Sequence, residues 1–196
     1  VLSFNAVHTL TDSLLHIEAH AGLAGWGCPP LLLLVQDRPA PTGPHGGRRQ
    51  MRAVHLPTDD TRLARYRTGL AGFLPDLAAA FDIHRPLARP TLAACVDITL
   101  IADLLTDPTP GLRLLAWAVC YEDVLVGSDG LHEIRRVDAV DADRRGYQIT
   151  RLRGEPQPAV RVNDLPDHGD TDPIRRGLAS LVRSTSRPGR SAPTTS

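Results

Sequence analysis

Val7, Leu10, Leu14, Ile17, Ala21 and Ala24 recur at alternating intervals of three and four residues. This is one face of an α-helix, with Thr11, Asp12 and Glu18 outside it. Ser3 or Asn5 can cap its start, and Gly22 and Gly25 supply its stop. After Pro29 and Pro30 the aliphatic run 31–36 reads as a short strand buried on both faces. Thr58-Asp59-Asp60 opens a second helical pattern through Leu63, Tyr66, Leu70, Phe73 or Leu74, Leu77 and Phe81. Pro75 inside it predicts a kink, or two short helices with the second starting at Pro75. Residues 91–107 fit a helix and, in part, an alternating strand; their length favours a helix, which Pro108 and Pro110 end.

From residue 111 to 162 the period changes. β-branched, aromatic and aliphatic segments are cut by turn signals at 127–130, 143–146 and 154–158, the pattern of an antiparallel meander. Residues 112–121 are apolar on both faces and predict a central strand. Residues 133–141 pair with 147–153 around the turn 142–146, which puts Val137, Ala139, Tyr147 and Ile149 on the inward face. Arg135 and Arg151 share that parity, so a bulge or strand ends leaving the core would be needed. Arg136, Asp138, Gln148 and Thr150 fall on the opposite, exposed face, where cross-strand polar pairs can form. Residues 159–162 predict a last strand at an edge. A final helix over 173–183 carries Ile174, Leu178 and Leu181, capped by Thr171 or Asp172 with Pro173 at its first position.

Together these elements predict a single α+β domain over residues 1–183: a four- to five-stranded, mostly antiparallel sheet with its helices mainly on one face. Water or a partner would cover the other face, which is mixed and charged. Residues 37–57, rich in Pro and Gly, read as a flexible loop, with 51–56 able to extend. Residues 184–196 read as a disordered tail.

Composition narrows the function classes more than it selects one. Twenty-two basic residues balance 22 acidic ones, which leaves no bulk attraction to nucleic acid or anionic lipid. Every basic residue apart from histidine is Arg. Lysine nucleophiles, Schiff bases and P-loop chemistry are therefore excluded. No G-x-G-x-x-G follows a strand and no G-x-S-x-G elbow occurs, so no cofactor and no catalytic residue is assigned. Cys28, Cys95 and Cys120 lack metal-ligand spacing and read as thiols in a reducing cytosol. The longest aliphatic run, 31–35, is too short to span a membrane. A start at Val1 leaves room for a removed leader.

Four candidate sites remain. His16 and His20 stand at i and i+4 on one helix face, a spacing that can offer two nitrogens to a metal. Glu18 falls one position too late for the zinc-protease arrangement, in which the acid follows the first His, and a third ligand would come from His8, Cys28 or a distant residue. Asp138, Asp141 and Asp143, with Glu122 and Asp123, can gather carboxylates for Mg²⁺ or Ca²⁺. Asp141 and Asp143 also suit a hairpin turn in their own right. Arg48, Arg49 and Arg52 form a small basic cluster suited to phosphate or carboxylate. The acidic stretch 164–172 lacks the calcium-loop spacing.

The stretch AHAGLAGWGCPPLLLLV resembles the opening of an uncharacterised family of small actinobacterial proteins: a helix, Gly-Trp, a proline step, then an aliphatic strand. The likeness spans residues 7–36 and implies a cytosolic actinobacterial origin without a mechanism. The function expected from these readings is a non-enzymatic interaction or regulatory module with a protein partner or a second copy of itself. The alternative is a small metal-dependent hydrolase built on His16/His20 or on the three aspartates. Nucleic-acid binding through the arginines is disfavoured by the zero net charge and scarce aromatics.

Overall fold

The computed structural model describes residues 1–39, 49–81, 90–163 and 172–186. It is an α+β domain. Among the described residues, six helices pack on a six-stranded, wholly antiparallel sheet: α1 (Phe4–Leu23), β1 (Leu31–Pro39), β2 (Arg49–Leu56), α2 (Asp60–Ala64), α3 (Gly69–Ala80), α4 (Pro90–Cys95), α5 (Ile98–Leu105), β3 (Arg113–Gly127), β4 (Gly130–Asp141), β5 (Gly146–Leu152), β6 (Ala159–Asn163) and α6 (Pro173–Thr185). The strand order is β2-β1-β3-β4-β5-β6. The meander β3 to β6 is therefore continuous in space as well as in sequence, and the hairpin β1–β2 extends it beyond β3.

The sheet is covered on both sides, not mainly on one. Even-numbered β1 residues Leu32 and Leu34, with Trp117, Val119, Tyr121 and Val140, pack under α3, α4, α5 and α6. Odd-numbered Leu33 and Val35, with Ala116, Ala118, Cys120, Val137, Ala139, Tyr147 and Ile149, pack under α1. The period-two alternation of a strand assigns one set of side chains to each layer. The two-sided apolar character of β3 follows directly, because helices cover both of its faces.

Within α1 the buried residues are Leu10, Leu14, Glu18 and Ala21, so the inward face is rotated from the predicted stripe and includes Glu18. Ser3 caps the helix through its hydroxyl on the Ala6 amide. The loop expected over 37–57 is narrower in the structure: 37–39 and 49–56 belong to β1 and β2, paired from Leu32↔Leu56 to Pro39↔Arg49. Only Leu56 of β2 is fully buried, and a polar edge strand of that kind gives little hydrophobic signal. Residues 40–48, and 187–196 of the predicted tail, lie outside the described residues.

The second helical pattern breaks at 65–68, ahead of Gly69, and Pro75 sits inside α3. Residues 91–107 hold two helices, split after Cys95, where Asp97 caps α5 by accepting from the Leu100 amide. Asp172 caps α6, with Pro173 in its first turn. Gly177 lets α6 approach α3: a Cβ there would lie 2.6 Å from Leu74 Cβ and 3.2 Å from Pro75 Cδ.

Candidate functional site

β3 and β4 are longer than their neighbours. Pairing of β1 with β3 ends at Leu31↔Cys120, and pairing of β5 with β4 ends at Ile134↔Leu152. The β3–β4 ladder continues to Gly127↔Gly130. A two-stranded arm thus leaves the sheet, running from 121 to 133 around the turn at Ser128 and Asp129. Val124, Val126 and Leu131 on it are 50%, 77% and 73% exposed, and Leu125 is 39% exposed. Polar residues normally dominate such a projection, so a run of exposed aliphatics there is unusual.

The root of the arm is held by a buried charge network that reaches into the core under α1. Glu18 is 0% exposed and accepts two hydrogen bonds from one guanidinium, Arg151 Nε at 2.7 Å and Nη2 at 2.6 Å. Arg135, also buried, lies 3.7 Å from Glu18 and 3.2 Å from Glu122, and donates to the Gly25 carbonyl. Glu122 in turn accepts from the Gly27 amide at 2.7 Å. Trp26 lies under Arg135 at 4.6 Å and Arg153 at 5.5 Å from its ring centroid. Arg153 also pairs with Glu133, on the other strand of the arm.

This network corrects the expectation of a bulge at Arg135 and Arg151. The two are direct partners in an unbroken register, Arg135↔Arg151. Their inward parity is compensated by a carboxylate from α1 instead of by a break in the ladder. Burying a charge is tolerable only when it is paired and hydrogen-bonded, and Glu18 and Glu122 supply both conditions.

A second polar cluster lies on the opposite face, at the N-termini of α3 and α6. Asp138 is fully buried and accepts from the Tyr121 hydroxyl at 2.7 Å and from Gln148 Nε2 at 3.1 Å. The Asp138–Gln148 contact is the expected cross-strand polar pair, here covered instead of exposed. Burial pushes the Asp138 carboxyl above its usual range, with the nearby charge of Asp172 adding to the rise and the Tyr121 hydrogen bond opposing it. Burial likewise raises the Tyr121 hydroxyl. Arg136 lies 3.8 Å from Asp123 and 3.9 Å from Asp172 across a cleft of about 690 Å³.

The three aspartates proposed as one group are divided by the sheet. Asp138 faces α6, whereas Asp141 has the parity of Val137 and Ala139 and faces the α1 layer. There Asp141 accepts from the Tyr147 hydroxyl at 2.8 Å and from the amides of Asp143 and Arg145 at 2.9 and 2.8 Å. Arg144 completes that turn at φ 68°. Asp143 accepts from the Leu2 amide, fastening the start of the chain to the turn.

His16, His20 and His55 of β2 line a groove of about 840 Å³ between α1 and the β1–β2 hairpin. Ile17, Leu23, Leu31 and Leu33 supply its apolar wall. Among the described residues no group of three or more His, Cys, Asp or Glu is placed to hold a metal ion. Arg49 bonds Asp37 and the Gly111 carbonyl; Arg52 is exposed on β2, and Arg48 lies outside the described residues.

The residues that reasoning from the sequence missed are Glu18, His55 and the arm's Val124, Leu125, Val126 and Leu131. For the arm a signal existed. Val124-Leu125-Val126 is a non-alternating aliphatic run next to a turn, too apolar for an exposed loop. Comparison with family models finds no match for this chain, and comparisons with curated proteins and with solved structures find none either. No described helix is long and apolar enough to cross a membrane.

Proposed function

We propose that the protein is a non-enzymatic interaction module of the cytosol that engages its partner through the β3–β4 arm. One observation carries the reading: an aliphatic two-stranded projection, exposed along its length, whose root is braced by buried ion pairs. A braced arm is pre-organised and loses little conformational freedom on docking. Its strand edges, beyond the ends of β1 and β5, offer unpaired backbone groups for strand addition. Three free cysteines, two of them buried, fit a reducing compartment.

The test compares wild type with Val126→Arg and Leu131→Arg, by sedimentation and by affinity capture from extracts of the source cells. Loss of association with unchanged circular dichroism and unfolding midpoint is expected. Identical sedimentation and identical captured proteins for wild type and both variants would overturn the reading.

The alternative is a metal-dependent hydrolase on His16 and His20; His55 lines the same groove, but among the described residues no three such side chains are placed to hold a metal ion. Metal analysis of the purified protein separates the two readings. Stoichiometric metal lost in a His16→Ala/His20→Ala double variant would favour the hydrolase.

A further inference from the structure

Among the described residues, the carboxyls with no exposed surface are Glu18, Asp138 and Asp141. Glu18 has the guanidiniums of Arg151 and Arg135 beside it, and Asp141 has Arg145 at 3.5 Å. Asp138, separated from Asp141 by the sheet, has no ion pair among the described residues. Its two oxygens accept from neutral donors, the Tyr121 hydroxyl and the Gln148 amide. A carboxylate buried without a counter-ion is costly enough that the group holds a proton instead.

The element that α6 lays against Asp138 carries a charge of its own. Asp172 caps α6 by accepting from the Ile174 and Arg175 amides, and α6 packs on β4 at this face. We infer that Asp138 is a proton latch for α6: while its carboxyl is protonated the first helical turn stays seated on the sheet, and release of that proton to solvent lifts the turn and admits water to the cleft.

The charges around the latch set its direction. On β3 the facing groups are Tyr121 and Asp123, on β4 Arg136, on β5 the uncharged Gln148, and on α6 Asp172 and Arg175. Glu122 also lines the cleft but pairs with Arg135 on the other face of the sheet, and α3 brings no titratable group to the cleft. Arg136 is divided between Asp123 at 3.8 Å and Asp172 at 3.9 Å. Burial and the Asp172 charge push the Asp138 carboxyl above its usual range, and the bonds from Tyr121 and Gln148 and the charge of Arg136 oppose them. The seated turn therefore binds the proton more tightly than the lifted one. Seating is fully favoured below the ordinary carboxylate range and weakens as pH rises through the raised value.

Only the first turn can respond. Further along α6, Leu178, Leu181 and Val182 lie in the core, and Thr185 accepts from Trp117 Nε1 at 3.0 Å.

The experiment is amide hydrogen exchange of the full chain, read by NMR as protection relative to the intrinsic rate at each pH, from about pH 4 upward. In wild type, protection at Ile174, Arg175 and Arg176 should fall on the order of tenfold as Asp138 ionises, while Val182 keeps its protection. Asp138→Asn, which carries no ionisable group, should abolish the fall. Asp172→Asn keeps a capping side chain and removes the like charge, so its fall should be shallower; it also serves if Asp138→Asn does not fold. Flat protection in wild type, a fall that survives in Asp138→Asn, or one as deep in Asp172→Asn as in wild type would overturn the inference. So would an equal fall at Val182, which would mean that the whole domain loosens and no latch exists.

Discussion

Removing the Glu18 carboxylate tests the buried network at its centre. Breaking a buried ion pair by deleting one partner costs about 3–5 kcal/mol, because the other charge is left desolvated. Two guanidiniums face Glu18, but neither would be left bare. Arg135 keeps Glu122 at 3.2 Å. Arg151 keeps the Pro156 carbonyl at 2.6 Å and is 21% exposed, so part of its charge is already hydrated. The cost of Glu18→Ala should therefore fall near the lower end, about 3 kcal/mol. For a chain of this size that lowers the melting temperature by roughly 6–12 °C. Glu18→Leu combined with Arg151→Leu removes both charges and fills the space, and should recover to within about 1 kcal/mol of wild type. Guanidinium unfolding reads the shift as a change in midpoint at constant slope. A Glu18→Ala cost below about 1 kcal/mol, the range of a solvated surface pair, would refute a dry network and with it the rigid root of the arm.

Two further outcomes follow from the packing and from the second polar cluster. Gly177→Ala should destabilise by about 1–3 kcal/mol, because its Cβ would overlap Leu74 Cβ and push α6 off α3; an unchanged midpoint would show that the helices can part freely. Asp138 has its folded carboxyl raised by burial. It binds its proton more tightly folded than unfolded, so its contribution is fully present below the ordinary carboxylate range and is lost as pH rises through the raised value. Asp138→Asn should flatten the decline in stability as pH rises above the ordinary carboxylate range, about pH 4, and melts over that rise that keep the wild-type slope would contradict the assignment.

The meander was legible because its turns and its alternation agree. The 142–146 turn predicts Val137 and Ala139 on one side with Tyr147 and Ile149 opposite, and the register pairs them so. The inward face of α1 was read in part. Glu18 counts as polar in any hydrophobic pattern, so the stripe held Leu10, Leu14 and Ala21 but left Glu18 outside it, and the arginines it neutralises look misplaced. Each of the three makes sense only in the presence of the others, across a separation that no local window spans. β2 was read only as a stretch, 51–56, able to extend: as an edge strand it buries just Leu56 fully, and Arg49, Gln50, Arg52 and His55 break its alternation. At the candidate site the turn of the arm was readable, but its projection was not. Projection depends on where β1 and β5 stop, which is a property of the neighbours.

The placement of Glu18 also orders the events of folding. During synthesis α1 is made first, yet its buried carboxylate has its bidentate partner 133 residues later, in Arg151. Until β4 and β5 supply Arg135 and Arg151, that carboxylate lacks its partners and resists burial under the nascent β1–β3 sheet. Loop closure over that separation is slow relative to local pairing. The meander and α6 can assemble as neighbours in sequence, and α1 is expected to close over the sheet after them.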